Sequence, residues 1–396
     1  MASKINIGMV GGGLGSFMGP IHRQAIEKTK TIQVVCGAFG STRQSSFDCT
    51  EPYGLDVRSV YGSYRDLLRK QSRLPKEERL CFITTVLPNT MHYPVAMMAM
   101  DCGVPVLAEK PFTCNMDEAA NLARKAKATG VPYRIAMVYP AYSMLLKARN
   151  LFREGVLGRV RRFHMSMQLG WMAGRVELEE NRQAMWRTDA RRNGNGGVIN
   201  DASCCCQFVL EGITGYRITD VCANARPCVP GRLIPDDATV MVRTDQGIDG
   251  VFLLSQIATG HREGLTFEIT GDAGAMRWRE CDPGTLVIVA NDGTEKVYTD
   301  KTAPGALGGV TTPFSAGEAY VEALARVYQD YADTLTGRTR RSRTQDDNRI
   351  LGMTIEEGLR TVAVSEAIIK SIQPPIDGQP NPPKWVHVTV TTIQTL

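Results

Sequence analysis

The sequence predicts an α/β chain in two parts. Residues 1–138 read as a doubly wound parallel sheet, and residues 139–396 as an α+β domain with a large open, mostly antiparallel sheet. Three observations support this. Short apolar runs alternate with helix-like segments through the first third of the chain, the pattern of βαβ units. Four glycines, Gly11, Gly12, Gly13 and Gly15, stand between the first apolar run and the first helix. After Pro140 the apolar spacing changes to strict alternation, as expected of half-buried strands.

Each element has its own signal. Residues 5–10 (INIGMV) are apolar on both faces, as in a buried parallel strand, and a helix follows from Ser16 to Thr29. IQVVCGAF (32–39) is a second strand, 61–70 a helix, and LCFITTVL (80–87) a third strand stopped by Pro88-Asn89. A helix over 92–102, a strand over 104–108, a helix over 116–129 and a strand over 131–139 complete the first part. A helix at about 143–154 ends at Gly155. In VRRFHMSMQLGW, Phe163, Met165, Met167 and Leu169 share one face, and His164, Ser166 and Gln168 share the other. Similar strands recur near 217–228, 238–244, 250–257, 264–270 and 285–290, joined mostly by short connections that favour antiparallel pairing. Helices return at 317–336 and 353–371, and the basic run at 338–343 reads as a solvated loop.

Composition narrows the function. At 396 residues the chain can bury a large core, and 43% hydrophobic with 22% charged residues is ordinary for a globular protein. A net charge of +5 is mild for this length, which argues against a nucleic-acid partner. No apolar stretch is long enough for a membrane helix, and the N-terminus lacks a secretory pattern, so a cytoplasmic protein with free thiols is expected. There are 11 cysteines, three of them consecutive at 204–206, but no zinc-type spacing, and the five histidines are scattered. No metal is therefore expected. A half-exposed sheet face predicts a homodimer or homotetramer.

Gly11-x-Gly13-x-x-Ser16 lies between a strand and a helix. In such a Rossmann-type turn the first glycine permits the bend, the second admits a pyrophosphate to the backbone, and the third position needs a small residue, here Ser16. Gly11, Gly13 and Leu14 are thus candidate dinucleotide-binding residues. The second strand ends in Ser41, Thr42 and Arg43 without an acid. These residues can hold a 2′-phosphate or hydrogen-bond a ribose, so both NAD and NADP remain open.

Glu109-Lys110-Pro111 extends the reading. With the glycine loop and Leu87-Pro88-Asn89-Thr90-Met91-His92, the chain resembles the Gfo/Idh/MocA oxidoreductase family, closest to its sugar dehydrogenases. The resemblance continues through Gln168-x-Gly170-Trp171, Gly196-Gly197-x-x-x-Asp201, Gly260-His261-Arg262-Glu263, Gly271-x-x-Gly274-x-x-x-Trp278 and a late helix from Asp347 to Ser371. It implies a cofactor across the C-terminal edge of the parallel sheet, with a sugar or glycoside between it and the second domain. Pro88, Asn89 and His92 would line the nicotinamide-ribose side, and Glu109 would lie near the ribose. Trp186-Arg187, just before the Gly-rich approach to Asp201, is a candidate to cover the nicotinamide or sugar. Lys110 would touch the reacting hydroxyl. Tyr139 and Tyr142 would face substrate, with aromatic rings suited to sugar CH faces.

The resemblance also implies roles in the chemistry. A lysine partly desolvated beside a cationic ring has its pKa pushed down, so Lys110 would share or accept the hydroxyl proton. Asp201 would contact substrate. The family keeps a histidine four residues after this aspartate, where this chain has Cys205. A thiol titrating near ~8.5 is a poor replacement for an imidazole near ~6.5. Three possibilities stay open: Lys110 and Asp201 move the proton together; His92 or His261 reaches the site; or turnover is weak or lost. The expected function is an NAD(P)-dependent dehydrogenase or reductase acting on a sugar, glycoside or cyclitol. Its rivals are a cofactor-binding regulatory homologue and NAD-dependent glycoside cleavage through transient oxidation.

Overall fold

The computed structural model describes residues 4–262, 264–300, 317–338, 350–373 and 381–390. Glu263, Asp347 and all of the basic run except Arg338 lie outside the described residues. The first part contains β1 (Ile5–Gly11), α1 (Met18–Thr29), β2 (Ile32–Ala38), α2 (Arg43–Phe47), α3 (Tyr64–Arg73), β3 (Phe82–Val86), α4 (His92–Asp101), β4 (Val106–Ala108), α5 (Met116–Thr129) and β5 (Tyr133–Ile135). Its strands form a parallel sheet in the order β2-β1-β3-β4-β5. β1 is an interior strand, and six of its seven residues are buried, which is why its sequence is apolar but for the exposed Asn6. The strand order reverses between β1 and β3, and ligand crevices form at such points, beyond the carboxyl ends of the strands. Local caps agree with the boundaries: Ser63 caps α3, Asn115 caps α5, and Gly130 closes α5 at φ +64°.

The chain continues through α6 (Ser143–Arg153), β6 (Val160–Gln168), α7 (Arg182–Arg187), α8 (Ala190–Asn193) and α9 (Val198–Thr214). Then come β7 (Ile218–Arg226), β8 (Asp237–Thr244), β9 (Asp249–Ser255), β10 (Gly264–Gly271), β11 (Gly274–Arg279), β12 (Asp282–Ala290) and β13 (Glu295–Thr299). The last elements are α10 (Glu318–Thr336), α11 (Ile355–Ser371) and β14 (Val386–His387). The second sheet runs β13-β12-β11-β10-β6-β9-β8-β7-β14. Every described pairing in it is antiparallel except β6 with β9. On β6, Phe163 and Met165 are buried and His164 is exposed, so the alternation in the sequence marks the true faces. β11, β13 and β14 carry no comparable signal. β13 (EKVYT) is a charged edge strand, and edges are commonly protected by charge.

α9 sits under this sheet and also packs on α6 and α11. All of its residues but Gly212 are buried, so it has no solvent face, and its middle, packed on neighbours on several sides, carries small side chains. These are Ala202, Ser203, Cys204, Cys205 and Cys206, and Ser203 hydrogen-bonds Ser365 of α11 at 2.8 Å.

The expected boundary at residue 138 separates the strands of the two sheets, yet α10 crosses it. This helix packs on α1 of the first part. Tyr328 Oη bonds Thr84 at 2.7 Å and lies 2.6 Å from His22 Nδ1, and Arg134 pairs with Asp330 at 2.6 Å in a buried contact. A parallel sheet needs cover on both faces, and α10 extends that cover over α1.

Because Cys206 is fully buried, Cys206→Leu is expected to destabilise the protein by about 1–3 kcal/mol through overpacking. Cys206→Ala should cost less than that, and urea unfolding of the two variants checks the difference.

Candidate active site

The turn after β1 is built from residues that tolerate no side chain. Gly11 has φ +81°, and a Cβ there would lie 2.1 Å from the Val86 carbonyl oxygen of β3. At Gly13 a Cβ would lie 2.6 Å from Phe39 O. The close strand–helix approach is made by Gly19, whose Cβ would meet Gly12 O at 2.1 Å. Ser16, expected to serve that packing, instead accepts a hydrogen bond from Gly19 N at 3.0 Å. The turn thus leaves bare backbone at the start of α1, which suits a pyrophosphate.

This turn opens into a cleft of about 1310 Å³ that runs between the parallel sheet and the second domain. Gly11, Gly13 and Leu14 line one end with Ser41 and Thr42; Pro88, Asn89, Glu109 and Lys110 line the middle; Tyr139, Trp186, Asp201 and Cys205 lie toward the large sheet. Thr42 also caps α2 through Ser45. Asp48 and Arg65, absent from the sequence expectations, line the same end as Ser41. Among the described residues no cluster of histidine, cysteine or carboxylate side chains could hold a metal ion.

The polar centre joins the end of β4 to the first turn of α9. Lys110 Nζ donates to Asp201 Oδ1 at 2.7 Å and to the Asp201 carbonyl oxygen at 2.8 Å. Asp201 Oδ2 accepts from Gln256 Nε2 at 3.0 Å and from Arg187 Nε at 3.5 Å. Arg187 is itself held by Gln183 and lies 4.0 Å over the Trp186 ring. The Asp201 position beneath a backbone turn also depends on Gly197, where a Cβ would come within 2.1 Å of Pro235 O.

These contacts set the charges. Burial works against the Lys110 ammonium, but the adjacent Asp201 carboxylate outweighs it, so the lysine titrates above its ordinary value. The downward shift expected from the sequence is reversed. Burial pushes the Asp201 carboxyl up, yet Lys110 and Arg187 more than offset this and hold it well below the usual carboxylate range. Both oxygens of Asp201 are engaged by donors, so it is an anchor and a poor proton acceptor. The Cys205 thiol is pushed well up, by its hydrogen bond with Cys204 and by burial, and stays neutral.

Several expected residues lie elsewhere. His92 is buried behind the cleft surface, with Nδ1 2.7 Å from Pro111 O and Nε2 3.1 Å from Leu87 O. Burial pulls its pKa down. It ties two loops together and does not line the cofactor side. His261 is exposed and outside the cleft lining, where its backbone carbonyl accepts from Gly170 N. Tyr142 is core, packed on Trp278 and Tyr139, and Arg43 lies outward over the Phe47 ring. Glu109 is on the lining, where Oε1 lies 2.8 Å from His22 Nε2 and Oε2 accepts from Lys110 N. Arg187, singled out in the sequence with Trp186, is on the lining with it. Sequence reasoning missed Gln256, Tyr320 and Glu280, all on the lining.

Comparison with known proteins agrees with this layout. Residues 5–137 match the family described as an oxidoreductase family with an NAD-binding Rossmann fold, and residues 145–277 match the GFO/IDH/MocA C-terminal domain. An uncharacterized oxidoreductase of Bacillus subtilis, YfiI, is 24% identical over 281 residues, 70% of this chain and 71% of that protein. Levoglucosan dehydrogenase of Pseudarthrobacter phenanthrenivorans is 21% identical over 328 residues, 76% of this chain and 82% of its own. The crystal structure of an inositol dehydrogenase homolog complexed with NAD+ from Azotobacter vinelandii superposes with a TM-score of 0.81 at 23% identity, covering 98% of each chain.

Glu280 gives this site a measurable pH signature. Burial raises its carboxyl from an ordinary 4.5 to about 7. Between those values the folded chain holds a proton that the unfolded chain has released, so stability falls as pH rises through this window and levels off above it. The loss is expected to be about 3 kcal/mol at most. Melting curves from about pH 4.5 to about pH 8 should show this slope in the wild type and its loss in Glu280→Gln.

Proposed function

The chain belongs to the Gfo/Idh/MocA family of NAD-binding oxidoreductases, and from that premise we propose that it is an NAD(P)-dependent dehydrogenase or reductase. Its substrate is a secondary hydroxyl, or the corresponding ketone, of a sugar, glycoside or cyclitol. The observation that carries this reading is the Lys110–Asp201 pair, set where the glycine turn and the large sheet share one cleft. The names of relatives, D-xylose dehydrogenase and levoglucosan dehydrogenase, point to the same substrate class.

The bare backbone of Gly11, Gly12 and Gly13 would hold the pyrophosphate, and Asn89 and Glu109 would flank the far ribose. At the other end Ser41 and Thr42 offer hydroxyls, while Asp48 suits a free ribose and Arg65 a phosphate. That end accepts either NAD or NADP. When bound, the dinucleotide accepts the carbon-bound hydrogen with its electron pair. The chain's own task is to orient the carbinol and handle its oxygen. Lys110 has an N–H free to donate to that oxygen beyond the two it gives Asp201. The Lys110 ammonium, donating to that oxygen, favours negative charge on it. Met167, Leu169, Tyr139 and Trp186 supply apolar and aromatic surface for a sugar ring.

Cys205 at the usual histidine position favours a second reading, a cofactor-binding regulatory homologue without turnover. Calorimetry with NAD and NADP, followed by a panel of sugars and 3-keto sugars, separates the two. Dehydrogenase function predicts binding and turnover, with Lys110→Ala lowering kcat by about 10²-fold or more and leaving dinucleotide binding intact. Binding without turnover on any substrate supports the regulatory reading, and no binding of either dinucleotide sinks both.

We also propose a homodimer or homotetramer joined through the outer face of the large sheet. There Met241 is 45% exposed, and its neighbours Val251, Leu253 and His164 form a continuous band across β8, β9 and β6. Sedimentation at micromolar concentration should show the oligomer; a monomer alone would contradict this.

A further inference from the structure

Oxidising a carbinol to a ketone releases a proton from oxygen, and the residues considered so far leave it without an acceptor. Lys110 is already protonated, Asp201 and Glu109 are each engaged at both oxygens, and Cys205 is a neutral thiol. His92 and His261 lie outside the cleft lining. Glu280 is a further carboxyl on that lining, within reach of the Lys110 charge.

We propose that Glu280 is the general acid/base of this site, receiving the substrate's hydroxyl proton directly on Oε1. The inference rests on the dehydrogenase reading above. Glu280 follows β11 and enters the cleft from the large sheet, near Cys205 of α9 and Lys110 after β4. Its backbone and side chain are docked on the start of β10: Glu280 N donates to Leu265 O at 2.8 Å, and Leu265 N donates to Glu280 Oε2 at 2.8 Å. Tyr139 Oη donates to the same oxygen at 3.3 Å. Gly264 makes the room, since a Cβ there would lie 2.5 Å from Oε2. The carboxylate is therefore clamped through Oε2, while Oε1 accepts no hydrogen bond from the described residues. At position 205 a thiol takes less space than an imidazole, which keeps the region before Glu280 open to substrate.

The proton balance closes. The substrate O–H bond breaks, and a new O–H bond forms at Glu280 Oε1. The hydrogen and electron pair of the carbinol C–H bond would go to the dinucleotide, the two-electron oxidant of the proposed reaction when bound, and the carbon would become a carbonyl. Glu280 then returns the proton to water, and in the reductive direction it donates it. Burial is the largest influence on its titration, raising it to about 7, against the backbone bond from Leu265, the Tyr139 bond and the Lys110 charge. The other titratable groups facing it are Tyr142, Tyr320, Cys205 and Cys206. Each is pushed well above its ordinary value, with burial leading for all but Cys205, where the hydrogen bond with Cys204 leads, so all four stay neutral near pH 7. An acid/base group is most effective when it titrates near the working pH.

The test has two arms. Infrared titration of the ligand-free protein should show one carboxyl band with a midpoint near pH 7 that is missing in Glu280→Gln. With the best substrate from the sugar panel, wild-type kcat/KM for oxidation should fall tenfold per pH unit below about 7. Glu280→Gln should lack that limb, lose about 10²–10⁴-fold in kcat, and still bind NADH by calorimetry. No carboxyl titrating near pH 7, or an unchanged limb in the variant, overturns the proposal and leaves the dehydrogenase reading standing. If the variant does not fold, a wild-type profile flat through pH 7 overturns it alone. Wild-type protein that binds no dinucleotide sinks the underlying reading, an outcome the infrared arm does not imitate.

Discussion

The ion pair between Lys110 and Asp201 is the constraint around which the rest of the site is arranged. It spans the end of β4 and the first turn of α9, so it joins a residue of the parallel sheet to a residue of the second domain. Two charges taken this far from water gain little from each other unless their other hydrogen-bonding sites are filled, and removing Asp201 would leave Lys110 and Arg187 without their carboxylate at a cost of about 3–5 kcal/mol. The structure fills those sites with Gln256, Arg187 and a backbone carbonyl. The same arrangement fixes protonation: the lysine is kept charged and the aspartate ionised. The pair therefore positions and polarises, and the task of exchanging a proton falls to a group with a different environment.

That different environment exists because α9 has no exposed face. The consecutive cysteines at 204–206 are small, apolar filler in the middle of this buried helix. At one of the three positions the packing demand coincides with the place where the family keeps its histidine. A thiol there is shorter than an imidazole and shares the cleft lining with Glu280 and Lys110. Packing and chemistry are thus coupled through one residue.

The architecture was legible because its signals are local. β1 and β3 are mostly apolar runs bounded by glycine or by Pro88-Asn89, and β6 alternates faces from Arg162 to Met165. β11 (GAMRWR) alternates only over its last four residues, and β13 (EKVYT) is exposed at four of five positions, so pairing that only the sheet supplies was not legible. The site was legible where function imposes a motif, at Gly11, Gly13, Lys110 and Asp201. It was not legible at Glu280. Arg279-Glu280-Cys281 reads as a polar connection until the register of β10 against β11 places Gly264 beneath the carboxylate. His92 misled in the opposite sense: a histidine beside a cofactor-type loop looked like a ligand, whereas its two nitrogens face backbone carbonyls.

The return of α10 to the first domain has a mechanical consequence. A two-domain protein joined by a single strand of chain can open about that linker like a hinge. Here the chain passes from the first sheet to the second after β5 and comes back through α10, where Tyr328 is bonded to Thr84 and stands against His22. Met353, just before α11, bridges β5 by paired backbone hydrogen bonds with Ile135. Rigid separation of the halves would break these buried contacts together. The wall of the cleft is thereby tied across both parts of the chain, and the short helices α7 and α8 contribute to its lining.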